Sequence, residues 1–144
     1  RPDSAKLSFG IAGMSNTQGN DLDGVDVTRL GAEFAFKAQG LGILAEYYQE
    51  TTDPALGVDI DTDGYYAQVG YLFPNKRFET ALRFAVVSPD VTGPSQDQTE
   101  TDAAFNFFLS KHGQKVQLDY RQLEFDADPD RDSNELRLQV QISF

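Results

Sequence analysis

No cysteine occurs in the sequence, and histidine occurs once, as His112. The first absence excludes a disulfide framework and thiol chemistry. The two together exclude the His/Cys clusters that hold zinc, and a glycine-rich phosphate loop is missing as well. No cofactor is expected. Basic residues are scarce: 12 Lys and Arg stand against 23 Asp and Glu, a net charge of -11, which argues against a nucleic-acid partner. No apolar run approaches the roughly 20 residues of a membrane helix. The sequence starts at Arg1 with neither initiator methionine nor leader, and reads as a processed chain, an engineered one or a piece of a longer one.

What the chain has is alternation. In Ser133–Phe144, Leu136, Leu138, Val140, Ile142 and Phe144 are apolar at every second position, with Arg137, Gln139, Gln141 and Ser143 between them. Period two means a strand with one apolar and one polar face. Eight such segments can be marked, at about residues 4–15, 26–37, 41–50, 64–73, 78–87, 99–109, 115–125 and 133–144. Soluble strands average about 5–6 residues. A tilted membrane-spanning strand needs about 9–11, so length favours a membrane barrel. Connections alternate between short (38–40, 74–77, 110–114) and long (16–25, 51–63, 88–98, 126–132). Short turns on one side and long loops on the other is the outer-membrane arrangement. The expected fold is an all-β, antiparallel, up-and-down transmembrane β-barrel with eight strands per chain. Val25 and Val27, and again Leu123 and Phe125, fall out of phase with their strands; each pair is read as a bulge or as a loop packing on itself.

Alternation does not say which face points outward, since a soluble barrel is apolar inside and a membrane barrel apolar outside. The polar parity carries Lys6, Arg29, Glu33, Lys37, Glu46, Glu50, Glu79, Arg83, Asp102, Lys115, Asp119, Arg121, Glu135 and Arg137, seven of each sign. These are the lumen-facing candidates. Aromatics on the apolar parity fall in two groups: Tyr47, Tyr65 and Tyr120 toward the long loops, Tyr71, Phe73, Phe78 and Phe144 toward the short turns. Two belts flanking an aliphatic band is a membrane-interface arrangement. Since the charged parity balances, the net -11 lies elsewhere, mostly in Asp residues of the long loops and their edges. The turns instead carry Lys76, Arg77 and Lys111. The long, acidic loops are therefore expected outside and the turns in the periplasm.

The ending LRLQVQISF resembles the final strand of bacterial outer-membrane barrels, whose terminal aromatic is read by the assembly machinery. The middle is more specific. Arg29-Leu30-Gly31-Ala32-Glu33 is followed by Gly42-Ile43-Leu44-Ala45-Glu46-Tyr47, Gly64-Tyr65-Tyr66-Ala67-Gln68-Val69-Gly70-Tyr71, Phe78-Glu79-Thr80-Ala81-Leu82-Arg83-Phe84, Ser88-Pro89-Asp90 and Val116-Gln117-Leu118-Asp119-Tyr120. From about residue 25 onward this order is similar to the C-terminal half of the phosphate-selective porin O and P family. The resemblance implies passive diffusion of small hydrophilic solutes, with anions such as phosphate as the family's solute class. It implies the outer membrane as compartment. It also implies contact with lipid and lipopolysaccharide, the assembly machinery as partner of the C-terminal strand, and self-association as a further partner expectation. Family porins have 16 strands and this chain eight. Residues 1–144 are then either a single small barrel, closed around an ion-paired, non-conducting lumen and structural or engineered in purpose, or the C-terminal half of a larger wall.

Asp59, Asp61 and Asp63 precede Gly64 as in a calcium loop, but the twelfth position is Gly70 rather than Glu, so this is not an EF-hand. A solvated acidic loop is the blander reading, with weak divalent binding as its competitor. Glu79 and Arg83 share one strand face, and Arg121 is expected to meet Glu135 or Arg137 on the neighbouring strand. Arginine forks match oxyanions; an ion-paired structural lumen is the competing role. His112 falls in a periplasmic turn, far from where a lipid-directed hydrolase would need it, so no enzymatic activity is expected.

Overall fold

The computed structural model describes residues 4–19, 24–55, 57–90, 94–110 and 114–142. Expectations placed on Phe144, Lys111, His112, Asp21 and Asp23 lie outside these residues. The described chain forms eight strands: β1 (Lys6–Gln18), β2 (Val25–Ala38), β3 (Leu41–Pro54), β4 (Ile60–Leu72), β5 (Phe78–Asp90), β6 (Gln98–Ser110), β7 (Gln114–Phe125) and β8 (Ser133–Ile142). They make one sheet in sequence order, each strand antiparallel to the next. Alternating Val, Ile, Phe, Tyr and Leu suit a pleated surface whose two faces meet different surroundings.

The turns have local causes. Gln39 and Gly40 both take positive φ, 48° and 85°, the two-residue type I′ link that matches the twist of a hairpin. A Cβ on Gly40 would sit 2.3 Å from the Leu72 carbonyl oxygen, so only glycine fits. At the next turn, Lys76 N–H bonds the Phe73 carbonyl at 2.8 Å and Asn75 Oδ1 accepts from Arg77 N–H at 3.0 Å. On the opposite rim, Pro129–Arg131 form one 3-10 turn between β7 and β8. Asp132 Oδ1 accepts from Phe125 N–H at 2.8 Å there, and the Arg131 guanidinium lies 4.3 Å from the Phe125 ring centre.

Strands run further toward the loop side than the alternation suggested. Thr51–Asp63 was expected as one long loop; β3 continues through Pro54 and β4 begins at Ile60. The suspected bulges are also corrected. Gln18↔Val25, Asn16↔Val27 and Val27↔Thr52 continue the register without a break, as do Glu100↔Leu123 and Gln98↔Phe125. Among the described residues the register shifts only between Phe108 and Ser110, at the turn end of β6.

Two features of the sheet bear on function. First, its hydrogen-bonded rows run obliquely to its rims. The row Lys37↔Gly42↔Gly70↔Ala81↔Ala104↔Asp119↔Arg137 begins next to the turn end of β2 and finishes in the middle of β8. Strand ends thus step relative to one another, as in a wall of tilted strands. Second, β1 and β8 make no contact with each other among the described residues, so each leaves one edge of backbone groups unpaired.

Candidate functional site

Directly opposed residues of an antiparallel pair share a face. Following the register across the sheet, all fourteen candidate charges named above lie on the same face. Glu100 joins them, directly opposite Ala85. It had been missed, although it stands two residues before Asp102 and the same parity would have found it.

On β5 to β8 one row alternates in sign: Arg83↔Asp102↔Arg121↔Glu135. Opposite charges facing across strands support the pairing. Arg121 Nε donates to Asp102 Oδ1 at 3.0 Å and lies 3.7 Å from Glu100 Oε2. Arg83 Nη1 lies 3.8 Å from Glu100 Oε1, an ion pair too long for a hydrogen bond. The Arg83 guanidinium also sits 5.0 Å from the Tyr66 ring centre, and Tyr66 O–H donates to Glu46 at 2.8 Å. Arg121 had been expected to join Glu135 or Arg137. Its backbone does oppose Glu135, but its side chain turns to β6, where two carboxylates wait, and Arg137 takes Glu135 at 2.8 Å. Glu79, which shares a strand face with Arg83, forms no ion pair among the described residues. Lys115 donates to Gln117 and Gln117 to Asp119, both at 2.6 Å, along β7. The row and its neighbours line a concavity of about 310 Å³. On β2 and β3, Arg29 pairs with Glu50, and Glu33 stands directly opposite Glu46.

The other face is apolar and exposed: Leu7 is 70% accessible, Ile11 79% and Leu138 69%. Tyr47 and Tyr65 oppose one another, and Tyr65 lies 6.3 Å from Phe84. At the turn side, Tyr71 meets Phe73 edge-on at 5.2 Å and Phe78 stacks on Phe107 at 5.0 Å. Tyr47 donates its hydroxyl to Asp63, and Tyr120 donates to Asn134 at 2.8 Å. Both acceptors are on the loop side of their donors, so these rings lie against the apolar band with their polar tips directed away from it.

Beyond those tyrosines the faces exchange character. Asp26, Asp53, Asp61, Asp63 and Asp90 occupy the parity that was apolar, while Val25, Val27, Ile60, Val87, Leu123 and Phe125 occupy the parity that was charged. Asp61 and Asp63 are therefore strand residues accepting from Thr51 and Tyr47, and no group of three metal-ligating side chains occurs among the described residues. Asp53, beyond the apolar band, is held above the usual carboxylate range, first by the charge of Asp59 and further by Asp26.

A two-faced sheet of eight long antiparallel strands has a match among known families. Residues 8–144 fit the model of phosphate-selective porins O and P, so the likeness read from residue 25 onward extends back through β1. The chain belongs to the phosphate-selective porin O and P family. Its compartment is therefore the bacterial outer membrane, and its class is porin rather than enzyme. No curated protein and no solved structure matches it.

Proposed function

We propose that the chain forms part of the wall of an outer-membrane channel for passive diffusion of small hydrophilic solutes, with anions as the solute class the family suggests. One observation carries this reading: the fourteen lumen-facing candidates share a face, and the opposite face offers exposed Leu, Ile and Phe side chains. In a soluble barrel the apolar face would be packed inside. Here the charged face lines water, the apolar face meets lipid, and the tyrosines mark the interface.

Barrel closure is part of the proposal. Unpaired strand edges are not tolerated in hydrocarbon, so β1 and β8 must each find a partner. The hydrogen bonds, ion pairs and ring contacts described above between strand side chains join adjacent strands or run along one strand. That supports a wide wall, of which these strands are half, over a narrow eight-stranded barrel with an interdigitated interior. Lipopolysaccharide at the acidic rim and the assembly machinery at β8 are the partners this reading requires.

Single-channel recording in a planar bilayer tests it. Large conductance steps are expected. A correctly inserted but silent protein would favour the closed eight-stranded alternative with an ion-paired lumen.

A further inference from the structure

We propose that Glu100 is a positioning residue that sets how much of the Arg83 and Arg121 charge a passing anion meets. This rests on the porin reading. Glu100 stands on the middle strand of three, and its two carboxylate oxygens divide between neighbours: Oε1 lies 3.8 Å from Arg83 on β5, Oε2 3.7 Å from Arg121 on β7. Its side chain is 21% exposed, against 41% and 44% for the two arginines. Glu100 is thus the least exposed of the three, and a solute on this face meets the arginines more readily than the carboxylate.

Both distances exceed a hydrogen bond, so Glu100 acts on the arginines by charge. Asp102 holds Arg121 separately at 3.0 Å. Two cations and two anions make the cluster neutral, which restrains attraction for anions without removing the forks that recognise an oxyanion. Loss of the Glu100 charge leaves the cluster at +1 while Asp102 keeps Arg121 in place. A purely structural Glu100, bridging β5 to β7, would instead lower stability and leave solute discrimination alone.

Glu100→Gln and Glu100→Asp separate these roles, with Glu135→Gln as control because it removes the same charge beside Arg137. Two readouts are needed. The first is the reversal potential under a KCl gradient: Glu100→Gln moves it toward anions, Glu100→Asp stays near wild type and Glu135→Gln moves it less. Equal shifts from Glu100→Gln and Glu135→Gln, or no shift, would overturn the proposal. The second is the rate at which an anionic dicarbonyl, p-carboxyphenylglyoxal, modifies each arginine of the lipid-embedded protein, read by mass spectrometry. Arg83 and Arg121 become about two- to fivefold more reactive in Glu100→Gln, the range open to a partly exposed ion pair, while Arg29 does not change. Unaltered rates at both arginines would overturn it too. A silent wild type would remove the porin reading while the dicarbonyl rates still decide whether Glu100 shields its neighbours.

Discussion

At the scale of single residues, two side chains next to each other in sequence should answer opposite tests. Leu82 is exposed on the apolar face and Arg83 lies on the charged one. Leu82→Arg should cost roughly 2–4 kcal/mol if it sits at mid-bilayer. Arg83→Ala should cost under about 1 kcal/mol, because its ion pair is long and its side chain 41% exposed. Urea unfolding from liposomes measures both; a harmless Leu82→Arg with a failed Arg83→Ala would invert the two faces. The Tyr48 ring packs against Gly64, where an added Cβ would come within 2.1 Å of the ring. Gly64→Val should therefore destabilise by about 1–3 kcal/mol, and most of that cost should vanish in a Tyr48→Ala background, a coupling the double-mutant cycle reads directly. Asp53 gives a pH test. Its folded-state value is raised, so the folded chain holds the proton more tightly than the unfolded one. Its contribution to stability therefore falls as pH rises from the ordinary carboxylate value through the raised one, and stays low above it. Asp59→Asn should bring the NMR titration of Asp53 back toward the ordinary range, and should stabilise the protein at pH 7 but not at pH 3.

At the scale of elements, Gly40 carries the sharpest local prediction. Gly40→Ala puts an L side chain at φ 85° against the Leu72 carbonyl and should cost at least about 1 kcal/mol, seen as a lower unfolding midpoint. The strands themselves were legible from alternation, because each spends most of its length between the same two surroundings. Their outer ends were not. Past Tyr47 and Tyr65 the polar residues move to the other parity, so Asp61 and Asp63 read as a loop although they are paired with Thr51 and Gln49 in β3. Val25, Val27, Leu123 and Phe125 looked out of phase for the same reason: the register does not shift at these residues, but the face that is polar does. Glu100 was within reach of the same parity rule. The choice of Arg121 for Asp102 over Glu135 was not, since backbone opposition offers it a carboxylate on either side and only the side-chain geometry decides.

At the scale of the molecule, the two rims differ in charge, and the expected orientation puts the acidic one outside. The loop rim carries Asp53, Asp59, Asp126, Asp128 and Asp132, and the turn rim Lys76 and Arg77. Protease added to intact cells should cut between 55 and 59 or between 126 and 132; cleavage confined to Lys76-Arg77 would reverse the orientation. The oblique rows bear most on the proposed channel. Lys37 and Arg137 share a hydrogen-bonded row, yet one is next to the rim and the other halfway along its strand. In a closed channel, row mates therefore stand at different depths, and the charges of β5 to β8 wind down the wall like the treads of a spiral stair. A permeating ion would be handed from tread to tread rather than held at a single gate. Replacing one charge should then alter one step of the descent, while the steps above and below go on being climbed as before.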